Sequence, residues 1–272
     1  MYPKKIFGLF YLYGLFIAIG IIACFLVFFQ FGKKRKIEEK FVDFVFYNAI
    51  AAIIVGFGTA SLFQATYNYI DDPSQGFRFD GGITFIGGLI GGIASFLIGY
   101  WMFKDKFKAR IVDIVSIAPC CILIAHAFGR IGCLFAGCCH GAETDAWYGI
   151  YMPAVGAKVV PTQLFEAIFL FALFAVCYLL YWKKNFKHNL SLYLLAYGIF
   201  RFLIEFFRAD ERGQFLFGIS PSQFWSIVMV LSSVAVYFLL EYLYKRRDAE
   251  LAAEKALAED TETVAEDTEE EK

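Results

Sequence analysis

The chain has 272 residues, of which 59% are hydrophobic and 33 are Phe, and its formal net charge is −1. Soluble domains use fewer apolar residues, so these proportions exclude a soluble protein, and no nucleic-acid partner is expected. The charge is divided unevenly, because residues 1–247 carry 23 basic and 15 acidic side chains whereas residues 248–272 carry 2 and 11.

Seven apolar segments are long enough to cross a bilayer, which takes about 20 residues each. Four connectors are rich in Lys and Arg, and by the positive-inside rule these lie in the cytoplasm. We predict an all-α membrane protein of seven transmembrane helices, with the N-terminus outside and the C-terminus cytoplasmic. The membrane domain would occupy 1–247, and 248–272 would form an acidic cytoplasmic tail that is disordered or loosely helical. The predicted spans are 6–31, 41–66, 82–103, 111–133, 162–182, 190–207 and 221–244.

The third segment opens with a run of six glycines in the twelve residues 81–92. Small residues let helices approach closely in lipid, so helix packing is one interpretation of this run. Backbone N–H groups at a helix start can also hold phosphate, and Gly87 and Gly88 are the candidates for that role. The sequence leaves both interpretations open.

The fourth segment ends in a polar string that runs from Gly129 to Gly141. Within it, Arg130 is a costly residue for a membrane interior, so it indicates a functional site by default. His126 lies four residues earlier on the same helical face, where it is either a packing residue or a general base. Beside a cation the imidazole would remain neutral, which is the form a base needs.

The same string holds Cys133, Cys138, Cys139 and His140. Adjacent cysteines rarely coordinate one zinc ion with good geometry, and no second ligand pair follows at the usual spacing, so we predict no metal site and no cofactor. A packed turn, with or without a disulfide, is the preferred interpretation. A membrane thiol-redox or metal-handling protein built on these four residues is an alternative.

The sixth segment carries an Arg and a Glu one helical turn apart, Arg201 and Glu205. Few carboxylates could pair with the two arginines: Glu166 and Glu205 are available, with Asp113 nearer the cytoplasmic end. The planar guanidinium of Arg suits bidentate binding of phosphate. Charges in two separate spans therefore predict a polar site for an anionic lipid headgroup.

Taken together, the strings Gly129-Arg-Ile-Gly132 and Arg201-Phe-Leu-Ile-Glu205-Phe-Phe-Arg208 resemble those of the prolipoprotein diacylglyceryl transferase family of bacterial inner-membrane enzymes. The resemblance implies a multi-pass protein that transfers a diacylglyceryl group from phosphatidylglycerol to the lipobox cysteine of a prolipoprotein, with glycerol phosphate leaving. It implies roles for Arg130, Arg201, Glu205 and Tyr197 beside the glycines of the third span. The other matching strings are Ile83–Gly91, Pro161–Glu166 and, more loosely, Gly218–Gln223.

The chain departs from the pattern of this family at three positions. Ile86 stands where the family usually has His, Cys133 replaces an Asn and Cys138 replaces a Glu. The missing His and Glu are groups assigned to proton transfer or positioning in the family, and His126 is the preferred substitute base, with His140 second. A family relative that binds anionic lipid without the transfer reaction is the alternative.

Overall fold

The computed structural model describes residues 11–79, 82, 84–208 and 219–270, with side chains described for all of these except 75, 85 and 257–270. A small antiparallel sheet, in which Ile150 pairs with Val159, lies between the fifth and sixth helices in chain order. The strands are β1 (Ile150–Met152) and β2 (Ala157–Val159). The helices are α1 (Leu12–Lys34), α2 (Glu39–Asp71), α3 (Phe85–Phe103), α4 (Val112–Val115), α5 (Ala118–Ala136), α6 (Thr162–Lys184), α7 (Asn189–Ile204) and α8 (Pro221–Glu270).

Within the described residues, seven helices are long and apolar enough to cross a membrane, which confirms the predicted seven-helix class. The fourth span begins at Ala118 rather than at 111, because the four-residue helix α4 precedes it and Pro119 occupies the first turn of α5. Proline favours a helix start, since the N–H that it lacks would have no partner there. Residues 6–10 of the first predicted span lie outside the described residues, as do Gly81, Ile83 and Gly218 of the predicted strings.

The last helix, α8, continues beyond its predicted span and includes the acidic tail as far as Glu270. Its start is a capping box, in which the backbone N–H of Gln223 donates to Ser220 Oγ at 3.2 Å. In return the backbone N–H of Ser220 donates to Gln223 Oε1 at 3.0 Å. Both bonds satisfy groups that the first helical turn leaves without partners, so they fix where α8 begins.

The chain divides into two compact units, of which the smaller is Phe29–Asp113. In this unit α2 and α3 pack through small residues. A Cβ atom placed on Gly88 would lie 3.2 Å from the Cβ of Ala60 and 3.2 Å from the carbonyl oxygen of Gly56. The backbone N–H of Gly88 already donates to the carbonyl oxygen of Thr84 at 3.2 Å. Helix packing therefore accounts for Gly88 without a ligand.

Gly87 allows a direct test of this packing. A Cβ atom there would lie 2.7 Å from the Cβ of Phe63, so even a methyl group must push α2 and α3 apart. We expect Gly87→Ala to lower the free energy of unfolding by about 1–3 kcal/mol, measured by denaturant titration of the purified protein in micelles. Gly58 has nothing within 4 Å of such an atom, so Gly58→Ala should be neutral or stabilise by up to about 1 kcal/mol. Equal stability of the two variants would contradict the packing role.

The larger unit comprises residues 1–28 and 114–272. In it α7 and α8 pack closely, since a Cβ atom on Gly198 would lie 3.1 Å from the carbonyl oxygen of Ser226. The buried side chain of Asn189, at the start of α7, donates hydrogen bonds of 3.2 Å to the carbonyl oxygens of Ser116 and Cys177. These bonds join α7 to α6 and to the segment before α5, so the polar residues of all three helices belong to one packed unit.

The loop after α5 returns to the end of α7. Gly137 ends α5 in the left-handed region, with φ 75°, and its N–H donates to the carbonyl oxygen of Cys133 at 3.0 Å. Further along, the N–H of Ala142 donates to the carbonyl oxygen of Phe207 at 3.0 Å. Gly141 is required at this contact, because a Cβ atom there would collide with that same carbonyl oxygen. The loop therefore holds the end of α5 beside the turn that follows α7.

Candidate functional site

Glu166 on α6 is a fully buried carboxylate at the centre of one polar cluster. Its Oε2 lies 3.1 Å from Nε of Arg130. Its Oε1 accepts a hydrogen bond of 2.7 Å from the hydroxyl of Tyr197 and lies 3.7 Å from Nε2 of His126. A buried charge is tolerated only when it is paired and hydrogen-bonded. Glu166 therefore holds Arg130 of α5 and Tyr197 of α7 against α6.

Aromatic contacts fix the orientation of this cluster. The ring of His126 meets the ring of Tyr197 edge-on, with centroids 5.3 Å apart. Tyr193, one turn earlier on α7, stacks on Tyr197 with centroids 5.7 Å apart. Because His126 and Arg130 are four residues apart, they project from the same face of α5 towards Glu166. The imidazole is thus held between a carboxylate and an aromatic ring.

A second cluster surrounds Glu205, which lies in a short 3-10 turn directly after α7. Oε2 of Glu205 lies 2.8 Å from Nη2 of Arg201 and 3.8 Å from Nε of Arg208. Oε1 accepts a hydrogen bond of 3.0 Å from the hydroxyl of Ser220. Nη2 of Arg201 also donates to the hydroxyl of Ser222 at 2.9 Å. The start of α8 therefore helps to orient the guanidinium of Arg201.

The two clusters form one electrostatic site. The guanidinium groups of Arg130 and Arg201 both interact with His126 and with Tyr197. Three guanidinium groups face two carboxylates, which leaves one excess positive charge in the site. Nη1 of Arg201 is buried and has no hydrogen-bond partner among the described residues. A buried donor without a partner, next to excess positive charge, is suited to an anion.

Three thiols adjoin this site. The Sγ atoms of Cys133, Cys138 and Cys139 all lie within 4.8 Å of one another, and all three residues are free cysteines. Cys139 has a left-handed backbone, with φ 62°. Hydrogen bonds from Cys133 and Cys138, together with one from Arg208, lower the pKa of Cys139 below its ordinary value. The thiols therefore lie in contact with the second cluster.

Most of the predicted site residues lie together, but not all of them. His140 is in the loop after α5, with its Nδ1 2.9 Å from the carbonyl oxygen of Gly141. Among the described residues, no ion pair around Glu166 or Glu205 includes His140. Gly87 and Gly88 belong to the smaller unit and contact α2 there. The predicted residues that do lie together are Arg130, Arg201, Glu205, His126 and Tyr197.

Sequence reasoning missed part of the site. Glu166 was considered as a partner for an arginine but not as a site residue, although a carboxylate in an apolar segment is as costly as an arginine there. Arg208 lies just beyond the predicted span 190–207, yet its side chain is only 2% exposed. Ser222 carries no sequence signal, because serines are common in first helical turns.

Comparison with known proteins identifies similar chains. The family model described as prolipoprotein diacylglyceryl transferase matches residues 5–239. A protein of Clostridium perfringens named phosphatidylglycerol–prolipoprotein diacylglyceryl transferase 2 is 37% identical over 245 residues, which cover 86% of this chain and 92% of that protein. Proteins named phosphatidylglycerol–prolipoprotein diacylglyceryl transferase from Clostridioides difficile and Clostridium tetani are 34% and 32% identical, over 88% and 87% of this chain and 94% of each relative.

Proposed function

The chain belongs to the prolipoprotein diacylglyceryl transferase family, and we propose that it performs the transfer at the site formed around Glu166 and Glu205. It is a multi-pass membrane transferase that catalyses the first step of lipoprotein maturation. In the proposed reaction phosphatidylglycerol is the donor and the lipobox cysteine of a prolipoprotein is the acceptor. The sulfur of that cysteine forms a bond to a glycerol carbon, and glycerol phosphate leaves.

This chemistry makes three demands on a site. The negative charge on the leaving phosphate must be stabilised, the thiol must lose its proton, and the two reactants must be aligned. The second demand arises because the thiolate, not the thiol, is the nucleophile. Positive charge stabilises the leaving phosphate most effectively in a poorly solvated site, since electrostatic interactions are stronger there than in water.

The observation that carries the proposal is the excess positive charge of the site, in which Arg130, Arg201 and Arg208 face two carboxylates. In our proposal both guanidinium groups bind the phosphate of phosphatidylglycerol, and the free Nη1 of Arg201 donates to it. The carboxylates of Glu166 and Glu205 keep the guanidinium groups in place before the lipid arrives. Positioning of this kind means that little reorganisation is needed as charge develops on the leaving group.

Tyr197 and Glu205 act as positioning residues in this scheme. Tyr197 donates to Glu166, so it fixes the carboxylate that holds Arg130. Glu205 accepts from Ser220 and pairs with Arg201, so it relates that guanidinium to the start of α8. Phosphate binding by backbone N–H groups near Gly87 and Gly88 stays a prediction, since the close contact with Phe63 already explains Gly87.

His126 is the proposed acceptor of the thiol proton, with His140 second. Glu166 lies 3.7 Å from Nε2 of His126 and would stabilise the imidazolium that forms. We expect His126→Ala to lower turnover by roughly 10²–10⁴-fold, measured with a lipobox peptide. His188→Ala is the matched control. His188 lies outside the site, with its Nε2 3.2 Å from Glu241 and its ring stacked on Tyr237. Unchanged turnover in His126→Ala would remove it from this role.

The reaction itself is tested by incubating the purified protein with phosphatidylglycerol and a lipobox peptide. The peptide should gain the mass of one diacylglyceryl group, and a peptide with Ser in place of the Cys should gain none. A protein that binds phosphatidylglycerol but leaves the peptide mass unchanged would favour the alternative, a family relative without this activity.

We further propose that the protein lies in the bacterial inner membrane, with the N-terminus outside and the C-terminus cytoplasmic. The basic residues of the connectors support this orientation. It would bring the end of α5 to the outer side, where exported prolipoproteins arrive. Cys138 is exposed, so a membrane-impermeant thiol reagent should label it in intact cells that are treated with a metal chelator. Labelling only after lysis would reverse the orientation.

A further inference from the structure

Cys133, Cys138 and Cys139 have the geometry of a metal site. Their Sγ atoms lie within 4.8 Å of one another. Around a tetrahedral zinc ion with Zn–S bonds of about 2.3 Å, two sulfur ligands are about 3.8 Å apart. Each pair of sulfur atoms would therefore move together by no more than about 1 Å. Adjacency does not prevent this convergence, because Cys139 adopts the left-handed backbone with φ 62°.

The surrounding charges suit a zinc ion held by three thiolates. Such a centre carries a net charge of −1, which must be balanced in a poorly solvated place. Arg208 donates a hydrogen bond to Cys139. Arg130 interacts electrostatically with both Cys133 and Cys139. Two cations therefore lie next to the three sulfur atoms, and they are the same cations that connect to the two carboxylates of the site.

The cluster also leaves a fourth coordination position open. Among the described residues, the group of converging ligand atoms contains only the three cysteines, and His140 is not part of it. Cys138 is exposed, so the position can be reached from outside. Structural zinc sites have four protein ligands, whereas catalytic ones have three protein ligands and keep the fourth place for water or substrate.

We propose that Cys133, Cys138 and Cys139 bind one zinc ion, and that its fourth position takes the thiol of the acceptor cysteine. This inference rests on the proposed function and concerns how the acceptor is activated. A thiol that coordinates zinc is held as a thiolate at neutral pH.

The acceptor thiol binds zinc and gives up its proton to water, through which the proton reaches His126. A lone pair of the sulfur then forms the C–S bond to the glycerol carbon of the lipid. The C–O bond to phosphate breaks, its electron pair stays on the phosphate oxygen, and glycerol phosphate leaves as a dianion beside Arg130 and Arg201. The thioether product is a weak ligand, so zinc is free for the next thiol.

Metal content tests the site without reference to activity. The full-length protein, loaded with zinc in detergent and dialysed, should retain about one zinc per chain. Cys133→Ser, Cys138→Ser and Cys139→Ser should each lower zinc affinity at least tenfold, since loss of even an outer-sphere partner costs roughly 10–100-fold. Cys24→Ala removes a thiol outside the cluster and should retain zinc. Wild-type protein that binds no more zinc than Cys133→Ser would overturn the proposal.

Cobalt substitution tests whether the acceptor thiol binds the metal. Cobalt bound by thiolates absorbs through sulfur-to-metal charge transfer, and a fourth thiolate added to three should raise that absorption. A lipobox peptide should cause the rise, and the same peptide with Ser in place of Cys should not. If the cysteine peptide causes no rise, the assignment of the fourth position is wrong.

Transfer assays separate this inference from the proposed function. Removing zinc with a chelator should lower transfer by roughly 10²-fold or more, and adding zinc back should restore it. Metal-free protein with full turnover would overturn the zinc proposal and leave the proposed function standing. Zinc-loaded protein that never transfers the group would overturn the proposed function and the role of zinc in activating the acceptor, whereas zinc binding itself is decided by the metal content.

Discussion

Replacing Arg130 by Ala is expected to lower the rate of transfer by roughly 10²–10³-fold, because one of the two cations that stabilise the leaving phosphate is lost. The same loss is expected for Arg201→Ala, whose guanidinium is fixed by Glu205 and Ser222. The rate is measured as peptide modified per unit time with phosphatidylglycerol in excess. Because the charge grows during C–O cleavage, turnover should fall more than substrate affinity.

Matched variants separate charge from geometry at these positions. Arg130→Lys retains a positive charge but loses the planar fork, so its activity should lie between that of wild type and that of Arg130→Ala. Arg246 is 66% exposed and pairs with Glu250 one turn away on α8, so Arg246→Ala should leave transfer unchanged. If Arg130→Ala and Arg201→Ala both retain full activity, the two guanidinium groups do not bind the phosphate.

A variant that lacks both arginines tests whether Arg130 and Arg201 act on the same phosphate. Two cations that act on one phosphate are expected to be non-additive, since removing the first already disturbs how the lipid is held. Arg130→Ala combined with Arg201→Ala should therefore lose less than the product of the single losses. Strict multiplication of the two effects would indicate that the two residues act on different groups.

Replacing Glu166 by Gln should lower the free energy of unfolding by about 3–5 kcal/mol, because it leaves the guanidinium of Arg130 with no carboxylate in a buried place. Glu166 is fully buried, and its Oε2 lies 3.1 Å from Nε of Arg130. Transfer should fall as well, since the phosphate-binding group loses its support. Stability is measured by denaturant titration in micelles, together with the peptide assay.

Three further variants show whether the loss of stability in Glu166→Gln comes from its ion pair with Arg130. Tyr197→Phe removes one hydrogen bond to a charged group, so it should cost only about 1.5–3 kcal/mol. Glu143 is exposed, and Glu143→Gln should change stability by less than about 0.5 kcal/mol. Combining Glu166→Gln with Arg130→Met removes both charges, and much of the stability should return. Failure of the double variant to recover would show that the ion pair is not what Glu166 contributes.

The local chemistry of the sequence predicted the membrane architecture well. Hydropathy depends on about 20 neighbouring residues, so the seven spans are visible before any packing is known. Arginine within an apolar segment is costly wherever it lies, which is why the sequence predicts Arg130 and Arg201 as site residues. Pairs within one turn, such as Arg201 with Glu205, are equally local because i and i+4 residues are neighbours on a helix.

What required the tertiary structure were the partners that come from distant parts of the chain. Glu166 pairs with Arg130 from 36 positions away and accepts from Tyr197 on a third helix, and no spacing rule links three separate helices. The sequence leaves the glycine run open between packing and phosphate binding, and the contacts of Gly88 with Ala60 support packing. The three thiols converge where Cys139 has a left-handed backbone, a state that non-glycine residues rarely adopt and that its sequence neighbours do not reveal. Sequence by itself determined which segments enter the membrane and which carry charge, because those properties are local. Only the packing of the helices decided which of those charges meet, because that depends on contacts between residues far apart in the chain.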